Sequence, residues 1–89
     1  MLFFGKNTVK TSRAPVVRGR VPIQEKINFA RHLSIVVKAG LPIYEGLKVI
    51  RRQITNKTLI EVVDGLIVDL NKGQSLADSL EFHRHIFGD

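Results

Sequence analysis

The chemistry-bearing residues of this chain are few, and they stand apart from one another. Glu61 and Asp64 lie three positions apart, a spacing that sets two carboxylates side by side on one helix face, where they could share a cation. Hard cations take six or more oxygens and no Asp-rich loop supplies the rest, so a solvated helix face is the favoured reading. His83 and His85 flank Arg84. Two apart on a helix, their rings would diverge by about 200°, and no third ligand is spaced to join them. They read as terminal surface histidines, and His32 as a surface or interface residue. Gly40, Gly46 and Gly73 are separated by helical segments and cannot form one phosphate-cradling loop. No nucleophile motif, dinucleotide fingerprint or metalloprotease helix occurs. The expectation is a protein with no catalytic residue, cofactor or metal, and therefore not an enzyme.

A second cluster carries charge without chemistry. Lys48, Arg51 and Arg52 fall on the outer side of one predicted helix, and Glu61 and Asp64 form a patch of opposite sign on the next. These five residues are the candidate protein contacts. The same basic cluster raises an alternative, a small DNA-binding helical domain, because a short turn between helices superficially looks like a helix-turn-helix. Against it, the second helix opens with Pro42, Ile43, Tyr44 and Glu45, where base-reading Asn, Gln or Arg would be expected. Nucleic acid is not the expected partner.

The elements that position these residues are helical. Pro22 suits a first helical position, because the helix has no use for the missing N–H there. From there to Gly40, Ile23, Ile27, Ala30, Leu33, Ser34 and Val37 share one face at 100° per residue, with Phe29 and Val36 widening it. Ile35 stands alone on the polar side. Gly40 can close the helix in the left-handed conformation and Pro42 can open the next, so the chain reverses within a few residues. Helix two, about 42 to 54, carries Ile43, Leu47, Ile50 and Ile54 as a narrow stripe. A mid-helix glycine costs about 1 kcal/mol relative to alanine, so Gly46 beside that stripe suggests a close helix approach, with simple tolerance as the equal alternative. Asn56 can cap a third helix from Lys57 to Lys72, with Leu59, Val62, Val63, Leu66, Ile67 and Leu70 on its buried face. Gly73 stops it. Ser75 caps a short fourth helix to about His83, with Asp78 near its positive end and Leu76 and Leu80 as anchors. Gly40, Pro42, Gly73 and Ser75 are thus the structural corners.

Length and charge bound the whole. Eighty-nine residues allow one domain with a marginal core, since short chains hide a smaller share of their surface. The absence of cysteine excludes disulfides and thiolate metal sites and suits a reducing compartment. Of the net charge of +6, five positive charges (Lys6, Lys10, Arg13, Arg18, Arg20) lie in the first twenty residues without an acid. Residues 1–20 read as a basic, mobile arm and 21–89 as the helical domain. A short strand at Ala14–Val17 has no visible partner, and Leu2, Phe3 and Phe4 could touch a membrane surface. No stretch approaches the roughly 20 apolar residues of a membrane span, and the start lacks the pattern of a secretory signal. The chain as given reads as soluble.

From Ile27 to Phe87 the sequence resembles the cytoplasmic domain of the type II secretion system F family, the inner-membrane platform proteins of secretion and type IV pilus machines. Phe29, Leu33, Ala39, Gly40, Leu41, Pro42 and Leu47, then Gly73, Ser75, Leu76, Leu80 and Phe87, stand at the family's spacing. Gly46 replaces the usual small helix former, and Gly88-Asp89 follow Phe87 where Pro is common. The resemblance implies an all-α antiparallel bundle of about four helices that forms part of a six-helix domain. It further implies membrane spans beyond Asp89, a place at the cytoplasmic face of the bacterial inner membrane, and a non-catalytic role. The partners it implies are the machine's assembly ATPase, other inner-membrane components and a second copy of the chain.

Overall fold

A computed structural model of the chain describes residues 17–88. Five helices run through them, α1 (Ile23–Lys38), α2 (Ile43–Arg52), α3 (Lys57–Asn71), α4 (Leu76–Phe82) and α5 (Arg84–Phe87), with no strand among the described residues. Each helix packs on the next in chain order, giving an all-α bundle. The expected strand at 14–17 and the contacts expected of Leu2, Phe3 and Phe4 fall wholly or mostly outside the described residues.

The boundaries follow from local chemistry. Pro22 and Pro42 both sit one position earlier than expected, at the caps, with ψ of 148° and 132°. Their extended backbones lie outside the helix, while their carbonyls accept the first helical bonds from Lys26 (3.2 Å) and Gly46 (2.9 Å). At the other end of α1, Gly40 takes φ +75°, and the Leu41 amide donates back to the Val36 carbonyl at 3.2 Å. Gly73 does the same for α3, with φ +94° and the Gln74 amide on the Asp69 carbonyl at 2.9 Å. These wrapped corners use carbonyls that a helix end otherwise leaves without partners. Asn56 accepts from the Leu59 amide at 2.9 Å and Ser75 from the Asp78 amide at 3.0 Å, which fixes where α3 and α4 begin.

Three features differ from the sequence expectation. Helix α2 ends at Arg52, two residues early. There Gln53 and Ile54 bond three residues back, to Ile50 and Arg51, so the last turn tightens and the helix stops. The final segment breaks at His83 into two helices instead of one followed by a tail. The largest difference is the orientation of α1. Its buried residues are Phe29 and Val36, whereas Ile23 is 69%, Ile27 43% and Val37 55% exposed, and Ala30 and Ser34 are also exposed. Apolar residues lie all around this helix, so periodicity alone could not choose a face. Packing chose it: the Phe29 ring stacks on Phe87 with centroids 5.7 Å apart and planes at 19°, and Val36 fits against Gly46.

The core is centred on α2 and α3, where Leu47, Ile50, Leu59, Val62, Val63 and Leu66 are buried, with Ile43, Ile54, Ile67 and Leu70 packed against them. The packed body begins before α1. Val17 and Val21 both belong to the core cluster, Gly19 lies against Thr58 of α3, and the Val17 carbonyl is 2.8 Å from the His85 Nε2. Residues 17–21 therefore form a strap across the bundle, and the boundary between arm and body falls earlier than residue 20.

The Gly46 contact is tight enough to predict its substitution. A Cβ placed there falls inside the Val36 side chain, and a helical valine has essentially one χ1 rotamer with which to respond. Overpacking costs about 1–3 kcal/mol, against about 1 kcal/mol of helix propensity gained. Gly46→Ala should destabilise the chain by about 1 kcal/mol net in urea unfolding. Val36→Ala should cost less in that background than in the wild type. A more stable single variant would show that the helices can move apart.

Candidate functional site

Helices α2 and α3 bring most of the candidate contacts together. Leu47 and Ile50 turn into the core, which leaves Lys48, Arg51 and Arg52 on the exposed side of α2. Asp64 stands opposite on α3. Arg51 reaches it with two bonds, Nε to Oδ1 at 2.5 Å and a terminal nitrogen to Oδ2 at 3.1 Å. The carboxylate hydrogen bond, and then its charge, raise the Arg51 pKa further above its ordinary value, so the guanidinium remains charged. Both side chains are nearly half exposed. This fork geometry fixes orientation more than it adds stability. Arg51 and Asp64 thus engage each other inside the chain. Lys48 lies 5.0 Å from the centre of the Tyr44 ring one turn earlier, and Arg52 and Glu61 are exposed.

Of the two terminal histidines expected at the surface, His85 is exposed and His83 is not. His83 is fully buried because the break between α4 and α5, at φ −101° and ψ 16°, turns its ring inward against the edge of Phe82, 5.1 Å away. The same break leaves the rings of His83 and His85 6.4 Å apart, instead of on diverging sides of one helix. His85 is exposed and holds the strap through Val17. His32 is half-buried beside Glu25, Asn28 and Gln53. Among the described residues no three His, Cys, Asp or Glu side chains gather as a metal site would require.

Sequence reasoning missed a buried polar contact. Asp69 and Ser79 are both fully buried, and the Ser79 hydroxyl donates to Asp69 Oδ2 at 2.6 Å. This short, charge-assisted bond ties α3 to α4. A signal did exist: Asp69 lies within the apolar stretch between Leu66 and Leu70, where a carboxylate needs a partner.

Two surfaces remain open. Along α1 the outward Ile23, Ile27 and Val37 line up with Ala30 and Ser34, and Leu41 beyond the corner is 52% exposed. Beside it runs a groove of about 370 Å³ between α1, α4 and α5, walled by Phe29, Ala30, Leu33, Leu80 and Phe87. Lys26, Glu81 and Arg84 stand at the same groove, and the last two pair at 2.7 Å. Nothing converges in it for bond-making chemistry; its shape suits an apolar side chain or helix.

The fold is an all-α bundle with charged outer faces and an apolar groove. The family model for Type II secretion system (T2SS), protein F matches residues 29–89, and the chain belongs to that family. It is thereby a component of secretion machinery, from a family of structural platform proteins of the inner membrane. No solved structure matches the chain. Among the described residues no helix is long and apolar enough to cross a membrane.

The two ion contacts should respond differently to substitution. Ser79→Ala removes the hydroxyl from a buried carboxylate and should cost about 1–3 kcal/mol in chemical denaturation. Arg51→Ala, at a solvent-exposed pair, should leave the midpoint nearly unmoved. Equal losses would mean that the surface fork holds α2 to α3.

Proposed function

We propose that this module is a non-catalytic cytoplasmic docking domain of an inner-membrane platform protein. It binds the assembly ATPase and other inner-membrane components of a type II secretion or type IV pilus machine, and it associates with a second copy of itself. Nucleotide chemistry belongs to the ATPase, and the module passes the resulting movement toward the membrane part of its parent protein.

The observation that carries this reading is the outward apolar line of α1, on a chain whose family builds secretion machines. An isolated exposed Ile means little, but several along one helix, with an apolar groove beside them, form a patch of the kind that partner proteins cover. Charged contacts surround such a patch as a polar rim. Lys48, Arg52 and Glu61 stand outside the Arg51–Asp64 pair, and we assign the rim to them, with Arg51 and Asp64 as its fixed centre. The pair also weakens the nucleic-acid alternative, because Arg51 already has an anion within its own chain.

The test uses the full 89-residue chain and the assembly ATPase of the same organism. Calorimetry should show saturable binding, and Ile27→Glu with Val37→Glu, both at exposed positions, should weaken it at least about tenfold, the effect of losing a small apolar hot spot. Light scattering on the same samples should show a dimer that the double variant loses. Absence of binding to the ATPase would overturn the docking role, and a monomer at high concentration would overturn self-association.

A further inference from the structure

A second cavity, of about 250 Å³, lies where the strap, the start of α1 and the end of α5 meet. Three basic side chains line it: Arg20 from the strap, Lys26 from α1 and His85 from α5. Among the described residues no carboxylate does. The remainder of its wall is Gly19, Val21, Ile86 and Gly88. The Lys26 ammonium lies beside Gly88, Nζ being 3.7 Å from where a Cβ would stand there. The ion pairs Arg51–Asp64 and Arg84–Glu81 involve neither Arg20 nor Lys26.

Three further observations converge on it. Glu25, the acid in the first turn of α1, lines a different cavity with Asn28 and His32. Helix α1 has no side-chain cap, leaving the positive end of a 16-residue helix next to Val21. The strap itself is held in place by buried Val17 and Val21 and by the His85 bond to the Val17 carbonyl. A carbonyl can only accept, so His85 Nε2 carries the proton. Arg20 is thereby brought from outside the helices to within reach of the same space as Lys26.

We infer that this cavity is an anion site that takes a phosphate group. Two flexible cations from different elements, lining one cavity with no carboxylate among its described residues, match the multiple oxygens of a phosphate better than a single carboxylate. This goes beyond the docking role, since the cavity is lined by the strap, α1 and α5 and not by α2, which carries Lys48 and Arg52. A phosphate group could arrive free in solution or as the headgroup of an anionic lipid, and the experiment separates these.

Inorganic phosphate is titrated into the full chain at constant ionic strength and followed by amide chemical shifts of Gly19, Val21 and Gly88. Saturable shifts at these three are expected, with sulfate competing. Arg20→Gln with Lys26→Gln, both outside the core, should weaken binding about tenfold or more through lost charge-assisted bonds. Lys6→Gln with Lys10→Gln removes the same charge elsewhere and should change nothing. Vesicles of phosphatidylglycerol, compared with phosphatidylcholine, form the second arm, with the same two variants. Loss of vesicle binding only in the Arg20 and Lys26 variant identifies a lipid headgroup; phosphate binding without vesicle binding identifies the free ion. Equal weakening by both variants, or unsaturable shifts, would overturn the site. None of these outcomes bears on ATPase docking, so the two readings fail separately.

Discussion

The close approach of α1 and α2 at Gly46 is the constraint on which the remaining arrangement rests. The chain reverses between these helices through four residues, and a turn this short sets the second helix antiparallel to the first without fixing its rotation. Rotation is fixed by the notch that Gly46 leaves for Val36. Once Val36 faces inward, Phe29, two turns earlier on the same side, must also face inward, where it meets Phe87. The same rotation sends Ile23, Ile27 and Val37 outward. The missing methyl group on α2 therefore decides which residues of α1 face outward.

This explains what the sequence did and did not make legible. Corners and caps were readable because they are local: Asn56 and Ser75 need only their own amides three residues on, and Gly40 and Gly73 only their own backbones. The stripe on α3 was readable because most of its apolar residues share one side, with Val68 the exposed exception. The face of α1 was not, since apolar residues occur on every side of it and tertiary contacts had to choose. The break at His83 was also hidden. No glycine or proline marks it, and it follows from the ring being drawn into the interior beside Phe82.

The candidate contacts divide along the same line. That Lys48, Arg51 and Arg52 share the outer side of α2 follows from their spacing and from the burial of Leu47 and Ile50 between them. That Arg51 would pair with Asp64 requires knowing the offset between α2 and α3, which spacing within either helix does not contain. The Asp69–Ser79 bond is of the same kind, crossing ten residues and a turn. Each residue could be flagged by its type, but its partner could be named only from the fold.

The buried polar bond and the apolar exterior together describe how a small bundle can hold one arrangement while leaving an apolar face outward. A chain of this size has little apolar burial to spare, yet it leaves several large apolar side chains of α1 in water. Rigidity has to come from elsewhere, and the Asp69–Ser79 bond supplies part of it by tying α3 to α4. A buried hydrogen-bonded carboxylate is poor at adding net stability but good at excluding alternative packings, because any rearrangement would strand its charge. The strap adds a second tie, joining the start of the described chain to its end through Val17 and His85. With the frame held by specific polar and backbone contacts, α1 can keep an apolar face outward without the bundle rotating to hide it. The docking role proposed above rests on that resistance to collapse, since only an α1 face kept outward can be covered by another protein.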